Sequence, residues 1–426
     1  MILNDEQEKI CQNLLFWIKE NKAGDFRATR DLIARNSKTP YITIGGYAGT
    51  GKTTLISEFR KRIKDDIAIA FVAFTGKAAF VVKQKLKDND AIFKADKIST
   101  IHKLIYRPKY KKDKRGHRII VGWDLVPRDE FYTELIIIDE ASMISKDIWE
   151  NLTSYKVPII AIGDHGQLPP VGDKFSLMTN PDLTLTQIHR QAENNPIIKL
   201  SQYVRQHGHI PFGIHDINVN QETGPSSFKL SWNKHPNCKT TFQNINFIKD
   251  DVICLCGMNK TRAAINNLIR HKLLHNTRQE PYPNEKIICL KNDYNTKIYN
   301  GQISTVDFFS RHTKDLYCLS LDFGFEDIIE CLAHKYCFGR ETYDGSFDMI
   351  SNRNKDIQKA LKGTSFNSVN LFDFAYCTSV HKSQGSEWDK VVLFEERSGY
   401  WDDEFYKRWL YTAVTRAKKK LFVIGN

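Results

Sequence analysis

The segment Gly46-Tyr47-Ala48-Gly49-Thr50-Gly51-Lys52-Thr53 constrains the fold of this chain more than any other stretch. Before it, Tyr41-Ile42-Thr43-Ile44 is a β-branched and aromatic run that reads as a strand, and Thr54-Leu55-Ile56-Ser57-Glu58-Phe59-Arg60 after it reads as the opening turns of a helix. A strand that ends in a glycine-rich turn and opens into a helix N-terminus is an anion cradle. Backbone N–H groups wrap phosphate oxygens, and the helix dipole adds partial positive charge. At this spacing Lys52 reaches the outer phosphates, and the Thr53 hydroxyl is set to coordinate Mg²⁺. Gly46, Gly49, Thr50, Gly51 and Thr54 complete the candidate nucleotide site. The loop predicts a nucleoside triphosphate and leaves open what its hydrolysis drives.

The chain has 426 residues, enough for two or more domains with separate cores. In the first half, Tyr41–Ile44, Ile67–Phe74, Leu135–Ile138 and Val157–Ile162 are short, nearly continuous apolar runs, the pattern of strands buried on both faces of a parallel sheet. Lys52–Arg62 and Lys77–Leu86 supply intervening helices. The second half repeats the alternation, with strand-like Val252–Cys256, Ala375–Thr378, Lys390–Phe394 and Lys420–Ile424, and helical Ala263–Leu274 and Glu404–Arg416. The expected class is α/β: two doubly wound parallel-sheet domains, 1–185 and 186–426, with a cleft between them and functional residues at the carboxyl ends of strands. Two inserts interrupt the alternation. Residues 103–125 are dense in charge and aromatic side chains, and 304–370 carry alternating strand-like runs such as Leu316-Tyr317-Cys318-Leu319-Ser320-Leu321.

A formal charge of +12 points to a polyanionic partner, most simply nucleic acid. No apolar run approaches the length of a membrane span, and the N-terminus lacks a signal-peptide hydrophobic stretch, so the expected location is intracellular. The nine cysteines, with no CxxC pair, read as reduced thiols. Cys331, His334 and Cys337 are closely spaced, yet three candidate ligands without a fourth make weak zinc evidence.

Ile136-Ile137-Ile138-Asp139-Glu140 is an apolar strand ending in two carboxylates. Phosphate hydrolysis needs one carboxylate in the Mg²⁺ shell and another to orient or deprotonate the attacking water, the expected roles of Asp139 and Glu140. Another apolar run leads into Gly163-Asp164-His165-Gly166-Gln167, where Gln167 places an amide near a strand tip, in reach of a γ-phosphate or simply facing water.

Taken in order, these blocks resemble the superfamily 1 helicases, most closely the RecD-like and Dda-like members that move 5′ to 3′ on DNA. Asn4–Gln7 resembles the adenine-reading glutamine motif, with Gln7 the reader. Phe74-Thr75-Gly76-Lys77-Ala78-Ala79 and Ser99-Thr100-Ile101-His102 resemble the first strand-contacting blocks. Leu185-Thr186-Gln187-Ile188-His189-Arg190-Gln191 resembles the block whose arginine touches the γ-phosphate. Thr378-Ser379-Val380-His381-Lys382-Ser383-Gln384-Gly385-Ser386-Glu387 and Tyr411-Thr412-Ala413-Val414-Thr415-Arg416-Ala417 resemble the last two, which are far more specific than a phosphate loop.

The resemblance implies two RecA-like domains, ATP and Mg²⁺ as cofactors, and Arg190 and Arg416 as arginine fingers acting in cis. It places Gly385 and Glu387 at the nucleotide, Glu387 on the ribose, and Thr75, Lys77, His102, Thr378 and His381 on the single strand. Where some relatives carry a base-stacking tyrosine, this chain has His189, which implies a looser adenine preference. The basic segment Tyr106–Val121 has a turn signal at Asp113–Gly116 between two strand-like arms and reads as a hairpin. Relatives use an insert here as the pin that splits the duplex, with Lys111, Lys112, Lys114 and Arg115 as phosphate contacts. The 304–370 insert matches in position their small SH3-like module. The implied partners are single-stranded and tailed duplex DNA, with replication or recombination proteins beside a monomeric motor of the kind a phage encodes for use in the host cytoplasm. An RNA helicase and a DNA-binding ATPase switch remain the alternatives.

Overall fold

The computed structural model describes residues 3–21, 38–63, 67–112, 118–170, 175–188, 195–211, 219–223, 245–324, 328–341 and 357–425, with short interruptions within 292–297 and 358–367. The chain divides into two units, Met1–Ile198 and Lys199–Asn426. Among the described residues no helix is long and apolar enough to cross a membrane.

The strands of unit 1 are β1 (Tyr41–Gly46), β2 (Ile69–Ala73), β3 (Lys97–Thr100), β4 (Tyr106–Lys112), β5 (Arg118–Leu125), β6 (Leu135–Asp139), β7 (Ile159–Gly163) and β8 (Leu183–Leu185). Six form one parallel sheet in the order β3-β2-β6-β7-β1-β8. The apolar continuity of these strands has a direct cause. Phe71, Ile137 and Ile160 face Ile10, Leu14, Leu55 and Phe59 of the helices Asp5–Glu20 and Lys52–Lys61. Their neighbours Ala70, Val72, Ile136, Ile138, Ile159 and Ala161 face Ile148, Trp149 and Leu152 of the helix Lys146–Ser154. Alternate side chains thus enter two cores, and each large one buried contributes roughly 1.5–3 kcal/mol. The strand expected at Ile67 begins later because Ala68 N–H donates to the Glu134 carboxylate at 2.9 Å instead of to a neighbouring strand. β4 and β5 form an antiparallel hairpin in register from Tyr106↔Leu125 to Lys112↔Arg118, bulged between Lys109 and Tyr110. Its turn signal lies outside the described residues.

Unit 2 contains β9 (Val219–Thr223), β10 (Val252–Cys256), β11 (Lys286–Cys289), β12 (Ile303–Arg311), β13 (Leu316–Asp322), β14 (Ile329–His334), β15 (Val369–Phe374), β16 (Cys377–Ser379), β17 (Trp388–Phe394) and β18 (Ala417–Gly425). A second parallel sheet runs β16-β10-β17-β18-β9. β11 to β15 close a small barrel. The barrel therefore draws on strands either side of the 304–370 stretch. Ala375–Thr378, read as one strand, is instead a junction. Ala375 N–H donates to Lys286 O on the barrel, and Tyr376 O accepts from Cys254 N–H on the sheet. The helix expected at Ala263 starts earlier, at Asn259, and the Glu396 carboxylate holds the residues leading into it, accepting from Gly257 N–H at 2.7 Å and Met258 N–H at 3.1 Å. It continues as a π-turn over Ile269–Leu273.

Cys331 and Cys337 lie in apolar cores, and His334 Nδ1 accepts from Tyr336 N–H at 3.1 Å, so this trio serves packing and capping. Each described cysteine is a free thiol.

Candidate nucleotide and nucleic-acid sites

β1 delivers the phosphate loop at its carboxyl end. Gly49 and Gly51 adopt φ of 82° and 73°, backbone that residues with a Cβ rarely take. Gly51 is the N-cap of the helix Lys52–Lys61, and no side chain caps that end, the arrangement that suits an anion. A Cβ on Gly46 would sit 2.7 Å from Thr50 Oγ1 and 3.1 Å from Lys52 Cγ, so only glycine lets the loop close this tightly. Thr50 is fully buried and its hydroxyl donates to Tyr47 O at 2.8 Å. Lys52 Nζ donates to Gly46 O at 2.7 Å and Tyr47 O at 3.0 Å, which folds its charge back over the loop it serves. Thr53 and Thr54 are half-buried on the first helical turn.

The strand register explains what meets the loop. Gly45 pairs with Gly163, Ile138 with Ala161 and Ala73 with Asp139, so the carboxyl ends of β1, β7, β6 and β2 lie along one sheet edge. Glu140, the residue after β6, has φ of 55°, left-handed backbone that costs a non-glycine residue about 1–3 kcal/mol. Gln167 is 5% exposed; its Nε2 lies 3.4 Å from Asp164 Oδ2, while its Oε1 has no hydrogen-bond partner among the described residues. Asp164 Oδ1 fixes the turn by accepting from Gly166 N–H at 2.9 Å. His165, given no role from sequence, packs its ring 4.1 Å from that of Tyr47 and so links this turn to the loop. The Thr53 hydroxyl and Asp139 carboxylate offer only oxygen donors, the set a hard cation prefers. No group of three or more metal-ligating side chains occurs among the described residues.

Gln7 is fully buried. It completes a capping box with Asn4, accepting from Asn4 N–H at 3.1 Å, while its own N–H donates to Asn4 Oδ1 at 2.8 Å. Its Nε2 donates to Thr50 O at 3.1 Å and Gly51 O at 3.4 Å, so the side chain grips the phosphate loop itself. The preceding residue was missed from sequence. The Glu6 carboxylate accepts from Thr186 N–H, Thr186 Oγ1 and Gln187 N–H at 2.7–3.0 Å, anchoring the stretch that leads toward Arg190. Burial raises its pKa, but the Gln187 and Thr186 donors outweigh that and the net shift is down. Its signal was its place beside Gln7 in the first helical turn. His189 and Arg190 themselves lie outside the described residues.

Thr75 caps the helix Gly76–Asp88, its hydroxyl accepting from Ala78 N–H at 3.2 Å. Lys77, in the first turn, is half-buried. The His102 ring packs 5.9 Å from Phe74 and 5.7 Å from Tyr106, and burial holds its imidazole below the ordinary value. Lys111 and Lys112 fall on β4 by backbone; Lys114 and Arg115 lie outside the described residues.

In unit 2 the last two sequence blocks are physically joined. Arg416 is 3% exposed, with Nε donating to Thr412 O at 2.9 Å, Nη1 to Ser386 O at 3.2 Å and Nη2 to Thr415 Oγ1 at 3.1 Å. Ser386 sits between Gly385, whose φ is 69°, and the exposed Glu387. Thr378 is 1% exposed with its hydroxyl buried, so it presents nothing to a strand in this state. It lies on the edge strand β16, paired with Leu255 of β10. His381 is half-buried, 5.7 Å from the Phe405 ring, and burial lowers its imidazole also.

Two families match the sequence: the AAA domain over residues 27–221 and the UvrD-like helicase C-terminal domain over 374–424. The chain is 25% identical over 409 residues to the ATP-dependent RecD2 DNA helicase of Deinococcus radiodurans, covering 90% of this chain and 47% of that one. It is 23% identical over 470 residues to the RecBCD enzyme subunit RecD of Buchnera aphidicola, covering 98% and 75%. It thus spans about half the length of the RecD2 relative. In fold it is similar to the Pif1 helicase from Bacteroides crystallised with ADP-AlF3 and ssDNA, with a TM-score of 0.50, 16% identity, and coverage of 99% and 92%. With the phosphate loop, the paired carboxylates and two parallel α/β sheets, the chain is similar in sequence to the RecD-like and Pif1-like superfamily 1B helicases.

Proposed function

We propose that the chain is an ATP-dependent DNA helicase that moves 5′ to 3′ on single-stranded DNA and opens duplex ahead of it. The observation that carries the reading is the convergence on one sheet edge of the phosphate loop, the Asp139–Glu140 pair and the Gly163–Gln167 turn. Kinship to DNA helicases supports DNA over RNA as the track.

In this reading Lys52 neutralises the outer phosphates, and Thr53 and Asp139 hold Mg²⁺, which supplies charge neutralisation at the transferred phosphoryl group when bound. Glu140 orients the attacking water and takes its proton; Gln167 reports the γ-phosphate through its amide. Arg190 and Arg416 stabilise the transition-state charge. For Arg416 that requires leaving the three acceptors that hold it in unit 2, so its engagement is a conformational step. Gln7 reads nucleotide by exchanging its loop contacts, while His189, Gly385 and Glu387 face base and ribose. His102, His381, Lys77 and Thr75 track the strand, joined by Thr378 once β16 shifts, and the hairpin lysines meet duplex phosphates. The protein acts as a monomer.

The test is ATP hydrolysis with and without single-stranded DNA. The intact protein should be stimulated, and Lys52→Ala should abolish turnover. Retained hydrolysis in Lys52→Ala would remove the phosphate loop from the mechanism.

A further inference from the structure

The hairpin rises from unit 1 between Ile105 and Val126, and its two roots meet there, Val126 N–H donating to Ile105 O at 2.9 Å. Both root carbonyls also face one hydroxyl. Tyr155 Oη lies 2.8 Å from Val126 O and 3.1 Å from Ile105 O. The ring is 3% exposed and stacks on Phe131 at 4.0 Å and 22°. Burial pushes the phenol up to about 12, so at neutral pH the oxygen keeps the proton it donates. A second tie lies one helical turn earlier, where Asn151 Nδ2 donates at 2.7 Å to Oη of Tyr106, the first residue of β4. Both ties come from the C-terminal end of the helix Lys146–Ser154, which begins just beyond Glu140.

We propose that Tyr155, assisted by Asn151, positions the hairpin on the ATPase core and so couples ATP turnover to strand separation. The inference rests on the reading of the hairpin as the separating element. A two-stranded hairpin is marginally stable alone, so its orientation is set at its roots. An ion pair near the base, Arg107 to Glu130 at 2.9 Å, has both side chains about half exposed, and such pairs contribute little. Tyr155 is different: it is buried, rigid and addressed to both strands at once. Without its hydroxyl, Ile105 O keeps Val126 N–H, but Val126 O loses the donor supplied here, and the roots are held only by that bond, by Asn151 and by side-chain packing.

Tyr155→Phe deletes the hydroxyl and keeps the stack on Phe131. Hydrolysis on single-stranded DNA and base pairs opened per ATP on a tailed duplex are measured side by side. Hydrolysis should stay within about twofold of the parent while base pairs opened per ATP fall about fivefold, the scale of one neutral hydrogen bond. Adding Asn151→Ala should deepen the uncoupling. A protein with Lys111, Lys112, Lys114 and Arg115 neutralised serves as the control. If that control loses unwinding and Tyr155→Phe does not, the positioning role is overturned and the hairpin reading stands. If neither loses unwinding, the hairpin reading fails and the positioning role with it. A proportional fall of hydrolysis and unwinding in Tyr155→Phe would place Tyr155 in support of the core and overturn the proposal.

Discussion

Gln7 Nε2 donates to Thr50 O at 3.1 Å, so the first helix of the chain is bonded directly to the backbone of the phosphate loop. The same side chain closes the capping box of that helix through its other end. Gln7→Ala removes both links at once. Unfolding free energy should fall by about 1–2 kcal/mol, and KM for ATP should rise about tenfold. Urea denaturation and steady-state hydrolysis check the two parts. Lost stability with unchanged KM would make Gln7 a helix cap and nothing more.

Glu140 occupies left-handed backbone at φ 55° beside the strand that carries Asp139. Holding the carboxylate proposed to orient the water there costs conformational energy that glycine would not incur. Glu140→Gly should therefore stabilise the folded protein by up to about 1 kcal/mol while hydrolysis drops by about 10²–10⁴. A destabilised Glu140→Gly would show that the side chain's own contacts outweigh the backbone strain.

Arg416 is buried among acceptors of its own unit. Arg416→Ala should lower stability by about 1–3 kcal/mol, because Ser386 O and Thr412 O lose their donor. If the arginine also acts at the phosphate, hydrolysis should fall about 10³-fold or more with nucleotide affinity nearly intact. Loss of stability with only a proportionate loss of hydrolysis would identify Arg416 as a clasp between its helix and the Gly385–Glu387 turn.

His102 is held below its ordinary value of 6.5 by burial between Phe74 and Tyr106. The unfolded chain takes up the proton first as pH falls. The neutral imidazole's contribution is therefore complete above 6.5 and is lost as pH drops through the lower folded value. His102→Phe should lose less stability than the parent between about pH 7.5 and 5.5, one site contributing at most about 1.4 kcal/mol per pH unit. Equal losses in both proteins would assign the acid sensitivity elsewhere, for example to His334 or His381, which burial lowers in the same direction.

The parallel sheets were legible in the sequence because strands buried on both faces must be apolar throughout, as at Leu135–Asp139 and Val252–Cys256. The phosphate loop was legible because its glycines answer a local backbone demand, seen in the positive φ of Gly49 and Gly51. What escaped depends on partners distant in sequence. The Ala375–Thr378 run has strand composition, but it is split because Lys286 and Cys254, far upstream, claim its backbone groups. Thr378 has a polar side chain that reads as a contact, and only pairing with β10 reveals that it points inward. Glu6 and His165 lie inside quoted blocks without a role of their own, and Tyr155 lies in none; each becomes visible through the segment it touches.

In the proposed mechanism ATP hydrolysis drives directional strand separation. Unwinding of duplexes bearing a 5′ or a 3′ single-stranded tail, in DNA and in RNA, with ATP and Mg²⁺, tests it most directly. The predicted result is ATP-dependent opening of the 5′-tailed DNA duplex, with little on the 3′-tailed duplex or on RNA. Opening of none of the four substrates, despite hydrolysis stimulated by single-stranded DNA, would contradict the claim and leave an ATPase switch.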